Sequence, residues 1–203
     1  MLAAEPMTHR TQEAELLMKA SRGDEAAFVV LYERHRTPVF RFACRLLGSA
    51  PLAEDVTHDC FLSIMRKPEL FQPELASLRT YLCAAARNLA FKQLRRRGIE
   101  TTVEEPPEPQ PTGATPDPLQ RVISGEMTEH VRQAVETLPP LQREAVILFE
   151  YHDMSLADVA LVAQTDVGTI KSRLHRARQR LKRALAPWYE SAAAGRPEET
   201  SHA

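Results

Sequence analysis

The chain has 203 residues, 43% of them hydrophobic, with 26 Lys+Arg against 27 Asp+Glu and a formal net charge of −1. That composition supports a packed core in one large or two small domains. It contains no apolar run near the roughly 20 residues of a membrane span, and its near-neutrality, taken whole, argues against a strongly basic nucleic-acid binder.

Divided along the chain, the charge tells a different story. Residues 1–98 carry 15 basic and 11 acidic side chains, a net of +4. Residues 99–120 carry five acids and no base, residues 121–186 a net of +2, and residues 187–203 a net of −2. Two mildly basic blocks thus flank a purely acidic segment, and such asymmetry points toward function. Met1 to Gln12 has no apolar stretch between a basic start and a cleavage site, so no secretory signal is expected. Cys44, Cys60 and Cys83 form no CxxC pair and sit in apolar helical patterns, which reads as small buried hydrophobes in a reducing cytoplasm. No metal site and no cofactor are expected.

Helical periodicity begins at Leu16, Leu17 and Ala20. It continues through Phe28, Leu31, Tyr32 and His35, then Val39, Phe40, Ala43, Leu46 and Leu47. Pro38 either opens a new helix at its first turn or kinks a long one. Gly48-Ser49-Ala50-Pro51 is a stop-and-restart signal. The next helix, about Leu52 to Arg66, places Ala53, Val56, Cys60 and Ile64 on one face. Glu54, Asp55, His58 and Asp59 lie on the other, which by itself is simply a wet face. A loop near Phe71–Ser77 leads to a helix near Leu78–Arg97, basic at Arg87, Lys92, Arg95, Arg96 and Arg97.

Residues 99–120 hold six prolines and cannot bury a core, so they read as a flexible acidic linker. Fully extended it reaches on the order of 60–70 Å, which makes the flanking blocks separate domains. A helix follows from Arg121 to about Thr137, and another from Leu141 to about Tyr151. Then come a short helix Ser155–Ala163, a turn Gln164-Thr165-Asp166 and a long helix to about Ala186. Pro187–Ala203 reads as a frayed, disordered tail. The fold class is all-α, with domains at 12–98 and 121–186.

The sharpest local signal is Ser155–Arg183, where a short helix, a three-residue turn and a longer basic helix outline a helix-turn-helix. Asp166 can cap the second helix. That helix bears Lys171, Arg173, Arg176, Arg178, Arg180, Lys182 and Arg183 with no acid among them. The bland reading of such a run is a solvated basic face; the helix-turn-helix outline favours neutralisation by phosphates. Thr169, Lys171, Ser172, His175 and Arg176 are candidates for base edges, and Arg173, Arg178 and Arg180 for phosphates. The basic helix around Arg87 and Asn88, with Tyr81 and Phe91 nearby, suits single-stranded or melting DNA; the alternative is that both rings are core.

Together and in this order, the pieces resemble the extracytoplasmic-function sigma factors, the short two-domain class of the bacterial sigma-70 family. The strings that carry the likeness are AEDVTHDCFLSIMRKPELF, SLRTYLCAAARNLAFKQLRRR and LPPLQREAVILFEYHDMSLADVALVAQTDVGTIKSRLHRARQRLKRAL. The resemblance implies that Glu54, Asp55, Asp59 and Phe61 dock on the β′ clamp helices of core RNA polymerase. It implies that Phe71, Ser77, Asn88, Lys92, Arg95 and Arg96 melt and read the −10 promoter element. It assigns Thr169, Lys171, Ser172, Arg173, His175, Arg176 and Arg178 to the −35 element. The second domain would meet the polymerase β flap, the acidic linker would thread the polymerase's channels, and an anti-sigma factor is an expected regulator. This chain departs from the family where its turn reads Gln164-Thr165-Asp166 rather than the usual Gly-Ile-Ser, giving up glycine's freedom.

Two other classes compete. A helix-turn-helix regulator acting on duplex operator DNA would bind specifically without polymerase. An enzyme is disfavoured, since there is no Walker loop, metal-ligand cluster or Gly-x-Ser-x-Gly.

Overall fold

A computed structural model describes residues 7–99 and 129–194. The expected linker beyond Ile99, the start of the expected second domain and the tail beyond 194 lie outside the described residues. All regular structure among the described residues is helical.

The first block comprises α1 (Met7–Ser21), α2 (Glu25–Leu47), α3 (Ala50–Arg66), a single 3-10 turn at Pro68–Leu70, and α4 (Leu78–Arg96). Local chemistry explains the boundaries. Asp24 Oδ1 accepts the Ala27 N–H at 3.0 Å and starts α2. Gly48, at φ 64°, ends it with its N–H on the Cys44 carbonyl. Pro38 lies inside one continuous α2, so it removes one hydrogen bond without dividing the helix. Leu31, His35, Val39, Phe42 and Leu46 recur at three- and four-residue spacing and are buried. Ser77 Oγ accepts the Thr80 N–H at 3.1 Å and starts α4.

Helix α1 is pinned by a buried acid. Glu13 accepts from His35 Nε2 at 2.8 Å and Arg34 Nη1 at 3.2 Å. Burial pushes its carboxyl up, but the hydrogen bonds of His35 and Arg34 and the charges of His35 and His9 outweigh this and hold it below the ordinary value.

The second block comprises α5 (Glu129–Glu136), α6 (Pro140–Val146), α7 (Leu156–Ala163) and α8 (Val167–Ala194). The expected helix to Tyr151 instead widens into a π-helical stretch, Ile147–Tyr151. It closes with the His152 N–H on the Ile147 carbonyl at 3.1 Å. The expected tail also begins later, because α8 runs through Pro187 to Ala194. Trp188 explains part of that extension, since its ring centroid lies 3.5 Å from that of His130 on α5.

The blocks expected as separate domains are packed together. Their buried side chains form one continuous apolar cluster, with α4 lying along α7. Polar groups stitch the seam. Arg79 Nη2 donates to the His152 carbonyl at 2.8 Å and to its Nδ1 at 3.3 Å. Arg143 Nη1 donates to the Leu46 carbonyl at 3.0 Å, at the negative end of α2. Arg45 covers the Tyr151 ring at 4.6 Å.

Two expected outcomes follow. Helix α7 ends in a Schellman turn, with the Thr165 N–H on the Ala160 carbonyl and the Gln164 N–H on the Leu161 carbonyl. Gln164 occupies the left-handed position at φ 55°, ψ 46°, where a side chain is strained. Gln164→Gly should raise stability by about 0.5–1 kcal/mol in urea unfolding at unchanged m-value; a loss would deny the strain. Second, burial, reinforced by Arg79, Arg45 and Arg41, lowers the His152 pKa from 6.5 to about 3. The unfolded chain then binds the extra proton, so stability present above about 6.5 is lost as pH falls toward 3. NMR titration should find the His152 ring neutral at pH 5, and a midpoint near 6.5 would show it hydrated instead.

Candidate nucleic-acid interface

The helix-turn-helix is built as its sequence implies. Ser155 Oγ accepts the Asp158 N–H at 3.1 Å and starts α7. Asp166 starts α8, with Oδ1 accepting the Thr169 N–H at 2.9 Å and Oδ2 its hydroxyl at 2.7 Å. Those bonds hold the Asp166 carboxyl below its ordinary value. Gly168 makes room for this cap, because a Cβ there would stand 2.9 Å from Asp166 Oδ1. Val159, Ala160, Val162, Ile170 and Leu174 form the buried seam between α7 and α8.

The sequence-derived −35 residues separate into distinct environments. Lys171 is exposed, and His175 and Arg176 are half-buried. Thr169 uses its hydroxyl on Asp166, and Ser172 Oγ donates to the Gly168 carbonyl at 3.1 Å. Arg173 is buried, with Nη1 4.0 Å from Glu144 Oε2. Arg178 donates to Glu150 Oε1 at 2.8 Å, with its guanidinium 6.0 Å from the Phe149 ring centre. Arg173 and Arg178, expected as phosphate contacts, both face carboxylates of α6 and its π-helical extension in this structure. Arg180, Lys182 and Arg183 continue α8 as an exposed basic end.

On α4, Asn88, Lys92, Arg95 and Arg96 are exposed and form one polar row. Phe71 and Ser77 do not join it. Phe71 is buried and meets Tyr81 edge-on at 5.7 Å, so it anchors the loop from inside. Ser77 is the buried cap of α4. The loop between them instead exposes Leu75, 69% accessible, which the periodicity argument did not single out. Phe91 is core and Tyr81 half-buried, in keeping with the structural reading of those rings.

On α3, Glu54, Asp55 and Asp59 form an exposed acidic face. Phe61 is corrected: it lies on the opposite, buried face with Cys60 and Ile64, its ring edge-on to Tyr32 at 4.9 Å. The apolar member of the exposed face is Leu62, which with Leu70 and Leu89 lines a groove bordered by Asp59, Arg66 and Lys67. Cys60 and Cys83 are buried thiols pushed up to about 12 by burial, whereas Cys44 is half-buried.

Glu144 and Glu150 were missed from sequence. Their only signal was an acid at an otherwise apolar helical position, readable as a solvated residue. Among the described residues, no group of three His, Cys, Asp or Glu side chains is placed to hold a metal ion, and no helix is long and apolar enough to cross a membrane. Phe61→Ala should cost about 3–5 kcal/mol in denaturant unfolding, while Glu54→Ala should stay within about 0.5 kcal/mol of the parent; equal effects would place Phe61 outside the core.

Comparison with known proteins places both blocks. Residues 31–99 match Sigma-70 region 2, and residues 128–181 match Sigma-70 region 4. The chain is 30% identical to the RNA polymerase sigma-H factor of Pseudomonas aeruginosa, over 89% of this chain and 97% of that one. It is 31% identical to the ECF RNA polymerase sigma factor SigM of Mycobacterium tuberculosis, over 87% of this chain and 86% of that one. It is also 31% identical to the ECF RNA polymerase sigma factor SigE of Mycolicibacterium smegmatis, but spans only 65% of that protein's length. Among solved structures, the sigma factor RpoE of Bartonella quintana, in complex with the anti-sigma factor NepR, superposes with a TM-score of 0.60 at 27% identity, covering 78% of this chain and 96% of that one. CnrH, in complex with the cytosolic domain of CnrY, shares the fold with a TM-score of 0.60 at 20% identity, covering 86% of this chain and 97% of that one. With both family regions matched in order and two relatives at this identity covered over most of their length, the chain belongs to the extracytoplasmic-function subfamily of sigma-70 RNA polymerase sigma factors.

Proposed function

We propose that the chain binds core RNA polymerase in the cytoplasm, recognises the −35 and −10 elements of its promoters and promotes their melting. The observation that carries this reading is the pairing of two basic surfaces in one molecule. One is α8, seated by the Asp166 cap with no acid between Val167 and Ala186. The other is the exposed Asn88, Lys92, Arg95 and Arg96 row of α4.

The N-terminal half of α8 enters the major groove of the −35 element. Lys171, His175 and Arg176 are its base-edge candidates, with Thr169 and Ser172 beside them. Arg180, Lys182 and Arg183 meet phosphates. Arg173 and Arg178 orient α8 through Glu144 and Glu150. On α4, Lys92, Arg95 and Arg96 track the strand that separates at the −10 element, and Asn88 offers an amide to an unstacked base. Leu75, at the exposed loop, adds an apolar surface against which such a base rests.

The acidic face of α3, with Glu54, Asp55, Asp59 and Leu62, docks on the β′ clamp helices, and the helix-turn-helix block meets the β flap. The protein performs no bond chemistry: it acts by binding separated strands better than duplex, which shifts the equilibrium toward melting. An anti-sigma protein is the proposed regulator, supported by the solved structure of the Bartonella quintana sigma factor RpoE, which was captured with the anti-sigma factor NepR.

Run-off transcription from a randomised promoter library, with core polymerase plus this protein, tests the reading. The expected result is stimulation over core alone with enrichment of two sequence elements. No stimulation, together with tight specific binding to duplex DNA by the protein alone, would favour the operator-binding regulator. Within the same assay, Arg176→Ala should cost about 1–3 kcal/mol at one −35 base pair; a uniform loss would make Arg176 a phosphate contact.

A further inference from the structure

Three arginines without a carboxylate surround one imidazole. Arg41 and Arg45 lie one turn apart on α2, where like charges repel. Arg79 lies in the first turn of α4, where the helix dipole adds positive potential. His152, just after the π-helical stretch, is 3% exposed. Arg79 Nη2 donates to its carbonyl at 2.8 Å and to its Nδ1 at 3.3 Å, and Arg45 covers the adjoining Tyr151 ring at 4.6 Å. The charges that act on the His152 ring are all positive, those of Arg79, Arg45 and Arg41. Among the described residues, none of these three arginines has a carboxylate partner. Glu150, beside Tyr151, is taken by Arg178 at 2.8 Å.

The hydrogen bonds at this place are as one-sided as the charges. A guanidinium only donates, so His152 Nδ1 is the acceptor from Arg79 and the neutral ring carries its proton on Nε2. That Nε2 is buried without a partner in the structure, and so are Tyr151 Oη, Arg45 Nε and Arg79 Nε. The site thus gathers buried donors and offers them no acceptor, an arrangement that calls for one from outside the chain. Water accepts hydrogen bonds but leaves the positive charge uncompensated. A phosphoryl group supplies both, with more acceptor oxygens than a carboxylate and a negative charge suited to guanidinium forks. Arg41 is exposed, and Arg45, Arg79 and Tyr151 are half-buried, so the cluster has a side open to solvent. The donor atoms themselves are buried, which suits a small anion or a terminal phosphate rather than a continuous nucleic-acid backbone.

We propose that Arg41, Arg45 and Arg79, with Tyr151 Oη and His152 Nε2, form a binding site for a small phosphoryl anion, either free phosphate or the terminal phosphate of a nucleotide. The site draws its donors from α2, α4 and the end of the π-helical stretch. It uses none of the residues assigned to the promoter elements and does not rest on the promoter reading.

Isothermal titration calorimetry of the full chain in phosphate-free buffer tests the site, with inorganic phosphate and ADP as probes. Saturable binding at a single site is expected, with movement of the His152 ring signals in proton–nitrogen NMR spectra. Arg45→Gln and Arg79→Gln should each weaken phosphate binding by about 10–100-fold, and Tyr151→Phe by about 2–10-fold. Arg22→Gln, an exposed change of the same charge, should bind as the parent does. If either buried-arginine variant fails to fold by circular dichroism, Tyr151→Phe and the exposed Arg41→Gln decide. ADP binding tighter than phosphate, lost in the same variants, assigns the anion to a nucleotide; ADP no tighter than phosphate assigns it to the free ion. No saturable binding of either probe, an Arg22→Gln loss equal to those at the site, or unmoved His152 signals would overturn it.

Discussion

A carboxylate without water, held between two guanidinium groups from different helices, organises this molecule. Removing an ion from water costs several kcal/mol even after relaxation, and only close partners offset it. Burial pushes the Glu144 carboxyl up, and Arg87 and Arg173 pull against that push. Burial prevails, so the carboxyl sits above its ordinary value, with Arg87 hydrogen-bonded to it and Arg173 nearby at 4.0 Å. Around it α4, α6 and α8 share one apolar cluster, and Arg173 lies on the inner side of α8. At 3.6 residues per turn, Lys171 and His175 then fall about 160° away from Arg173, on the side of α8 remote from the buried seam. The outward set of α8 follows from the buried stripe Ile170, Leu174, Ala177 and Leu181, on whose side Arg173 also falls.

The same logic sorts the charges. Glu13, Glu144 and Glu150 act inside the fold, and each holds particular basic groups: His35 and Arg34, Arg87 and Arg173, and Arg178. Bases outside these pairs remain on the surface at Lys92, Arg95 and Arg96 of α4 and at Lys171, Lys182 and Arg183 of α8. The near-neutral total is then compatible with local basic surfaces, because five of the acids lie in the 99–120 segment, which carries no base. A net charge counts all these groups alike, whereas a DNA strand meets only those within a Debye length of it.

Features governed by neighbours within one helical turn were legible in the amino-acid order. The Asp166 cap, the apolar stripe of α2, the stop at Gly48 and the acidic face of α3 all rest on hydrogen bonds or periodicity spanning a few residues. Phe61 was misplaced because it was grouped with the exposed acids beside it, although helical rotation turns it about 100° per residue away from them. Its spacing from Val56, Thr57, Cys60 and Ile64 carried the correct face. The extension of α8 past Pro187 was hidden because it depends on Trp188 meeting His130, on a helix more than fifty positions earlier.

What the sequence determined by itself was the helical class, the order of elements, the helix-turn-helix and the family to which these strings belong. Each depends on local patterning that survives whatever the rest of the chain does. The tertiary structure decided which basic residues face solvent and which are held by acids, and whether the two blocks touch. Those outcomes are set by desolvation, which is strong only once distant segments close around a charge. Arg173 and Lys171 stand two residues apart on one basic helix, and the packing that buries Ile170, Leu174 and Ala177 brings Arg173 to Glu144 and leaves Lys171 exposed.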